Sequence, residues 1–285
     1  MKNIGLVLEG GGMRGVYTAG VLEFFLEHNV FFPYNIGVSS GAGIASSYLS
    51  RQKGRNKKVN IDFARHPGYI SFRNWLFRRR GLFGMDLIFD KIPNHYVPFD
   101  FKAFTEANER FVVGTTDCLT GQPIYYEKSN YDGKDFLTVL RASSSLPFMA
   151  PIVEFEGKPL LDGGITDPMP LKKSEADGND RNVLILTRTN GYLRSKLRLR
   201  WFLSRKYPAY EGLIEAMDKR FHVYNETTAY IEQQEEKGNA FVIRPSLEPK
   251  ISRIERNPTK LSGLYRHGYK DAEKLFPRLK EWLGM

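Results

Sequence analysis

The stretch Asn35-Ile36-Gly37-Val38-Ser39-Ser40-Gly41-Ala42-Gly43-Ile44 constrains the fold of this 285-residue chain more than any other. An apolar run ends at Gly37, Ser39 sits between two glycines, and small apolar residues continue through Ala45 to Tyr48 and Leu49. The order predicts a short buried strand, a sharp turn with Ser39 at its apex, and a helix beginning at Ser40. Glycines at 37 and 41 let the strand and helix backbones approach closely while Ser39 takes a strained turn, the logic of a nucleophile elbow. The helix would aim its free amides and positive dipole end at the serine oxygen.

A second strand, loop and helix stand upstream. Ile4-Gly5-Leu6-Val7-Leu8 reads as a buried strand, followed by Glu9-Gly10-Gly11-Gly12-Met13-Arg14-Gly15. A helical pattern then places Val16, Val21, Leu22, Phe25 and Leu26 on or near one face. Such a loop converges backbone N–H groups on an anion. Gly10, Gly12 and Gly15 satisfy a dinucleotide-binding spacing, but that reading asks for an acidic residue closing the next strand, which closes instead on Gly37-Val38-Ser39. A phosphate-binding P-loop would end in Gly-Lys-Ser/Thr, which is absent. Loops after adjacent parallel strands open on the same sheet edge, so the remaining reading sets Gly10, Gly11, Gly12, Met13, Arg14 and Gly15 beside Ser39 as an oxyanion loop.

Regular structure returns at Phe111–Thr116 and Pro123–Tyr126, strand-like runs joined by a turn at Thr120-Gly121, and a helix is expected over Asp135–Ala142. Val153–Leu161 reads as a hairpin turning at Glu156-Gly157, delivering Asp162 ahead of Gly163 and Gly164. Asp167, before Pro168, reads as a helix N-cap. Further strands are expected at Asn182–Thr187 and Phe241–Ile243, with 194–236 largely helical and a terminal helix pair over Asn257–Leu283. Residues 51–110, where aromatics and arginines alternate with Gly and Pro, suggest an insertion of short helices and loops.

Gly10–Gly15, Gly37-Val38-Ser39-Ser40-Gly41 and Asp162-Gly163-Gly164, in this order, resemble the patatin-like phospholipases, lipid acyl hydrolases with a Ser–Asp dyad. Arg141-Ala142-Ser143-Ser144-Ser145-Leu146-Pro147 is similar to the family's stretch ahead of the catalytic Asp, and the resemblance covers about residues 4–50 and 110–190. The family more often shows Asp-Gly-Ala, where Gly164 supplies the third, equally small residue. The resemblance implies an α/β fold, a three-layer α/β/α sandwich with a mostly parallel central sheet, in one domain over 1–285. Its core would span 4–190, with the insertion 51–110 and a C-terminal extension 191–285. It implies Ser39 as nucleophile, Asp162 as base and Gly10–Gly15 as the oxyanion loop. Arg14 would then either attract a lipid phosphate or pin its loop through a carboxylate.

Within enzymes the nearest competitor is a Ser-His-Asp triad using His222 or His267, but such folds place the elbow after several strands rather than the second. The rival from another class is a non-catalytic basic module for phospholipid or nucleic acid. Net charge is +10, and residues 181–210 hold eight Lys or Arg and no Asp or Glu. Basic runs also occupy Arg51–Lys58 and Arg73–Arg80, the latter interleaved with Trp75, Leu76 and Phe77. That mixture suits an anionic lipid surface, so Trp75–Phe83 is expected to make peripheral membrane contact, with lipid rather than nucleic acid as partner. No metal-ligand spacing appears, and neither metal nor cofactor is expected. Cys118 is the single cysteine, which excludes an internal disulfide framework; it reads as an inert thiol. With no signal-peptide pattern and no bilayer-length apolar run, the expected location is cytoplasmic, at the inner membrane face where it meets lipid.

Overall fold

The structure, a computed structural model, describes residues 3–71, 81–196 and 199–285. Its described strands are β1 (Ile4–Leu8), β2 (Tyr34–Val38), β3 (Arg110–Asp117), β4 (Pro123–Glu127), β5 (Val153–Phe155), β6 (Lys158–Asp162), β7 (Arg181–Ile185) and β8 (Ala240–Ile243). They form one sheet in the order β5-β6-β3-β2-β1-β7-β8, with β4 also paired to β3. The ladders from β3 through β2, β1 and β7 to β8 are parallel. Those joining β3 to β4, β3 to β6 and β6 to β5 are antiparallel.

β1 is apolar throughout, and β2, β3 and β7 are largely so and almost wholly buried, because both faces are covered. Alternate residues go to opposite layers: Leu6, Leu8, Val113, Val183 and Ile185 pack into one core, and Val7, Ile36, Val112 and Leu184 into the other. The first core is roofed by α1 (Val16–Glu27), α2 (Ser40–Leu49), α3 (Phe101–Glu106), α4 (Gly133–Ser143) and the long terminal helix Pro258–Leu283. The second is covered by α5 (Leu171–Ala176) and α7 (Glu211–Glu236), with Leu171, Tyr224 and Ile231 buried there; α6 (Arg200–Lys206) precedes α7 and buries Leu203 in a third, smaller cluster. This is the expected three-layer α/β/α sandwich.

Several local expectations change. The chain from 257 onward is not a helix pair but a single helix, α8 (Pro258–Leu283), with Pro277 inside it. Proline removes one backbone donor, yet Leu261, Leu264, Ala272, Leu279 and Leu283 carry one buried stripe across it, and Asn257 caps its start. Rather than one apolar face, α1 buries every residue from Val16 to Leu26, because α8 lies on the side that the sheet leaves open. The two helices cross closely: a Cβ on Gly20 would stand 2.0 Å from the Tyr265 carbonyl oxygen. Residues 194–199 precede the first helix of the 194–236 region rather than belonging to it. Asp167 caps no helix; its carboxylate accepts from the Tyr125 hydroxyl at 2.5 Å, and the next helix begins only at Leu171.

Residues 51–110 do form short turns and helical pieces, including a π-helical stretch over Leu87–Tyr96. The basic run 51–58 is partly spent on structure. Arg51 pairs with Glu109 and lies 3.7 Å over the Phe31 ring, and Arg55 is buried against Ser47 and the Val97 carbonyl. Trp75 and the arginines around it lie outside the described residues.

Candidate active site

Ser39 joins β2 to α2 with φ 54° and ψ −131°, a conformation that costs a residue bearing a Cβ about 1–3 kcal/mol. The surroundings hold it there. Its N–H donates to Ser143 Oγ at 2.8 Å, and that hydroxyl donates to the Gly114 carbonyl at 2.7 Å. The end of α4 is thereby tied to the turn and to β3. Gly41 sets the seat of α2: a Cβ there would stand 2.7 Å and 2.8 Å from the carbonyl oxygens of Glu9 and Leu8. Gly37, at the end of β2, lies under Ala42.

β3 brings the acid to the serine. β4 occupies one edge of β3, so β2 and β6 share the other, end to end. Val38 is registered against Gly114 and Asp162 against Thr115, consecutive positions on β3. Because β6 runs antiparallel to β2, the ends of the two strands point at each other. Ser39 Oγ donates to Asp162 Oδ2 at 2.6 Å, with Ser39 6% and Asp162 1% exposed. Gly163 opens a short 3-10 turn, and the Gly164 N–H donates to Asp162 Oδ1 at 2.8 Å. The Asp162 N–H donates to the Ser145 carbonyl at 2.8 Å. Burial pushes the Asp162 carboxyl above its ordinary value, while Arg220, the Ser39 hydroxyl, the Gly164 amide and Arg253 pull the other way.

The glycine loop lies against the same turn. A Cβ on Gly10 would stand 2.9 Å from that of Ser39, and one on Gly15 would stand 2.7 Å from Ser40 Oγ. The Gly11 N–H donates to Ser40 Oγ at 2.9 Å, and the Met13 N–H donates to the Arg253 carbonyl at 3.1 Å. The Gly11 amide is thus engaged. Gly12, at φ 57°, keeps an N–H without a partner among the described residues. Glu9 anchors the start of the loop from below: its buried carboxylate accepts from the Thr187 N–H, the Thr187 hydroxyl and the Tyr224 hydroxyl.

Ser39, Gly12 and Met13 line a cavity of about 120 Å³ whose other walls include Ile44, Val59, Tyr69, Phe89 and Leu137. Arg14 turns away from it. This guanidinium is buried, forms no ion pair among the described residues, and has no partner for its Nε. The histidines of the competing triad are elsewhere. His267 bonds Ser246 at 2.7 Å and Asp271 at 3.2 Å, and the His222 ring lies 3.8 Å from that of Phe221. Cys118 is buried and its thiol is pushed up to about 12 by that burial, which leaves it unreactive.

A family model described as patatin-like phospholipase matches residues 6–173. The chain belongs to the patatin-like phospholipase family. A second model, a domain of unknown function (DUF6363), matches residues 210–284. Among curated proteins, the uncharacterized protein YjjU of Escherichia coli is 30% identical over 65% of this chain and 52% of its own length. Lysophospholipase NTE1 of Scheffersomyces stipitis is 27% identical over 61% of this chain and 11% of its own. The chain therefore spans about half of the first relative and about a tenth of the second. The crystal structure of VipD from Legionella pneumophila aligns with 96% of this chain and 66% of its own, at 14% identity and a TM-score of 0.48.

The patatin-like motifs foretold which residues would meet, but not what holds them. Ser143 and Ser145 lay in a stretch singled out only by likeness, with no role attached. Arg220, on α7, donates from Nε to the Gly164 carbonyl at 2.7 Å and was not anticipated at all. Nor were Thr187 and Tyr224 under the loop. Each stands alone in the sequence, far from any motif, so no spacing signal exists to find it. Among the described residues no helix is long and apolar enough to cross a membrane.

Proposed function

We propose that this protein is a serine hydrolase that cleaves carboxylic ester bonds of phospholipids or lysophospholipids through Ser39 and Asp162. One observation carries the reading: a serine that lines an apolar cavity from a strained turn donates a 2.6 Å hydrogen bond to a buried carboxylate. The family and the lysophospholipase relatives support the lipid ester as substrate.

In this mechanism Ser39 Oγ attacks the ester carbonyl carbon, and its proton passes to Asp162 Oδ2 as the new C–O bond forms. Burial makes the carboxylate a stronger base than a solvated one, and the positive charges of Arg220 and Arg253 oppose that rise. The carbonyl π electrons move to oxygen, and the negative charge meets the Gly12 amide and the N-terminal end of α2, each such amide being worth roughly 3 kcal/mol. The Gly11–Ser40 hydrogen bond fixes the loop so that the donor needs no reorganisation. Collapse breaks the ester C–O bond, and the leaving alcohol takes the proton from Asp162. Water then attacks the acyl-Ser39 carbonyl, gives its proton to Asp162, and Ser39 recovers it as the fatty acid departs.

Treatment with a fluorophosphonate probe tests this directly. A mass adduct on the peptide carrying Ser39, absent in Ser39→Ala, is expected. Intact, folded wild type that neither labels nor hydrolyses any member of a lipid-ester panel would instead favour a non-catalytic basic binding module.

A further inference from the structure

A second cavity, of about 370 Å³, opens on the other side of the glycine loop. Its wall carries six arginines, Arg14, Arg188, Arg194, Arg200, Arg220 and Arg253, against one acid, Asp218. That acid is engaged by Lys196 at 3.2 Å. Arg188 and Arg200 have their own carboxylates, Glu248 and Glu211. The remaining four form no ion pair among the described residues. Arg220 spends its Nε on the Gly164 carbonyl, and Arg194 lies 4.4 Å over the Tyr224 ring. Arg14 is 5% exposed with an orphaned Nε.

Gathering like charges in a partly dry space is costly unless an anion completes the set. These arginines feel one another. Burial first, and neighbouring arginines second, lower Arg220 to about 9 and Arg14 to about 10. Guanidinium forks match the planar pairs of oxygens on a phosphate better than any ammonium does.

Position gives the anion a role. The two cavities share no lining residue and meet at the glycine loop, with Gly12 and Met13 on one side and Arg14 on the other. Arg220 reaches from the arginine wall to the residue two places after Asp162. We propose that the arginine cavity is a phosphate subsite, which holds the phosphate of a lipid headgroup while the acyl chain occupies the apolar cavity. The assignment rests on the hydrolase reading and makes the substrate a phosphate-bearing ester rather than a neutral glyceride.

Arg194 and Arg253 are the side chains to change. Arg194 is anchored through its backbone to Asn225, and Arg253 through its carbonyl to Met13, so these anchors survive substitution. In neutral detergent micelles, kcat/KM is measured for a lysophosphatidic acid and for the monoacylglycerol of the same chain, with wild type and with Arg194→Gln/Arg253→Gln. The ratio of the two constants is expected to fall at least tenfold in the double variant, and to hold in Arg266→Gln, an exposed change on α8. Inorganic phosphate should compete with the lysophosphatidic acid in wild type and lose that effect in the double variant. An unmoved ratio with both substrates still turned over overturns the headgroup subsite and leaves the hydrolase reading standing. Phosphate binding by calorimetry with an unmoved ratio would mark a site for a free anion, and also overturns it. If wild type hydrolyses neither substrate, the headgroup assignment is overturned, and the hydrolase reading falls with it where Ser39 also takes no fluorophosphonate label and no ester of the lipid panel is cleaved. Should the double variant not fold, Arg194→Lys and Arg253→Lys singly, which keep the charge and lose the fork, are expected to lower the same ratio; no change in either overturns the proposal.

Discussion

The two cavities beside the glycine loop differ in chemistry and in origin. The apolar one is walled by residues between Gly12 and Leu146, whereas the arginine one takes only Arg14 from that range and the rest from 188–253. The Ser39 turn and its apolar wall belong to the segment that carries the family's motifs. The charged wall is brought by the stretch that follows, part of it within the region matched by the model of unknown function. If the two proposals hold, the apolar wall and the charged wall set chain length and headgroup separately, although Arg220 and the Arg253 carbonyl also brace the Gly164 turn and the glycine loop.

Removing what both sides share should have the largest effect. Ser39→Ala and Asp162→Asn are each expected to lower kcat at least about 10³-fold on phosphorylated and neutral esters alike, with an unchanged circular dichroism spectrum. An active Asp162→Asn enzyme would break the pairing of Ser39 with this acid. Next comes the apolar side alone. Leu137, half-buried in the cavity wall, becomes an obstruction as Leu137→Trp, and hydrolysis of long-chain esters is expected to fall roughly 10- to 100-fold relative to butyryl esters. Equal loss on every chain length would argue that the acyl group lies elsewhere.

A smaller loss follows from loosening the elbow. Ser143→Ala takes away the hydroxyl that links the Ser39 amide to the Gly114 carbonyl, so stability should drop by about 1–2 kcal/mol and kcat by several fold, measured by urea denaturation and initial rates. No change in either would mean that the strained turn holds without this brace.

The smallest effects are those of pH. The base must be ionised, so kcat/KM should rise with pH along a limb lying above the ordinary Asp value of 3.8, since burial raises Asp162. A limb at or below the ordinary value would sever the link between burial and basicity. For stability the sign is opposite. A folded carboxyl with a raised pKa binds its proton more tightly than the unfolded one, so wild type loses stability as pH climbs from the ordinary range through the raised value. Asp162→Asn escapes that loss. It should melt slightly above wild type at neutral pH, and the advantage should shrink on acidification below the usual carboxylate range.

Much of the core was legible because its signals are local. A turn that forces Ser39 to positive φ needs small neighbours on both sides, and they are adjacent in the chain. Glu156 and Gly157 both adopt positive φ, at 50° and 70°, which is why a two-residue turn was readable there. Two readings gave way: the helix pair over Asn257–Leu283, and the helix start that Pro168 suggested after Asp167. In each case tertiary contacts, a continuous buried stripe and a Tyr125 hydroxyl, decided the outcome. The amphipathic reading of α1 failed for the same reason, since a helix covered on every side shows no polar face to betray its partner.

By itself the sequence determined the elements of the candidate site: a glycine loop after one strand, a serine at the bend after the next, and an aspartate at the end of a hairpin. Each follows from steric rules acting over a few residues. Only the tertiary structure decided that β2 and β6 meet end to end along β3, bringing Ser39 and Asp162 together across 123 positions of sequence. It alone gathered Arg14, Arg194, Arg220 and Arg253 around one space. Strand pairing and charge clustering depend on distances in space, and separation along the chain holds no record of them.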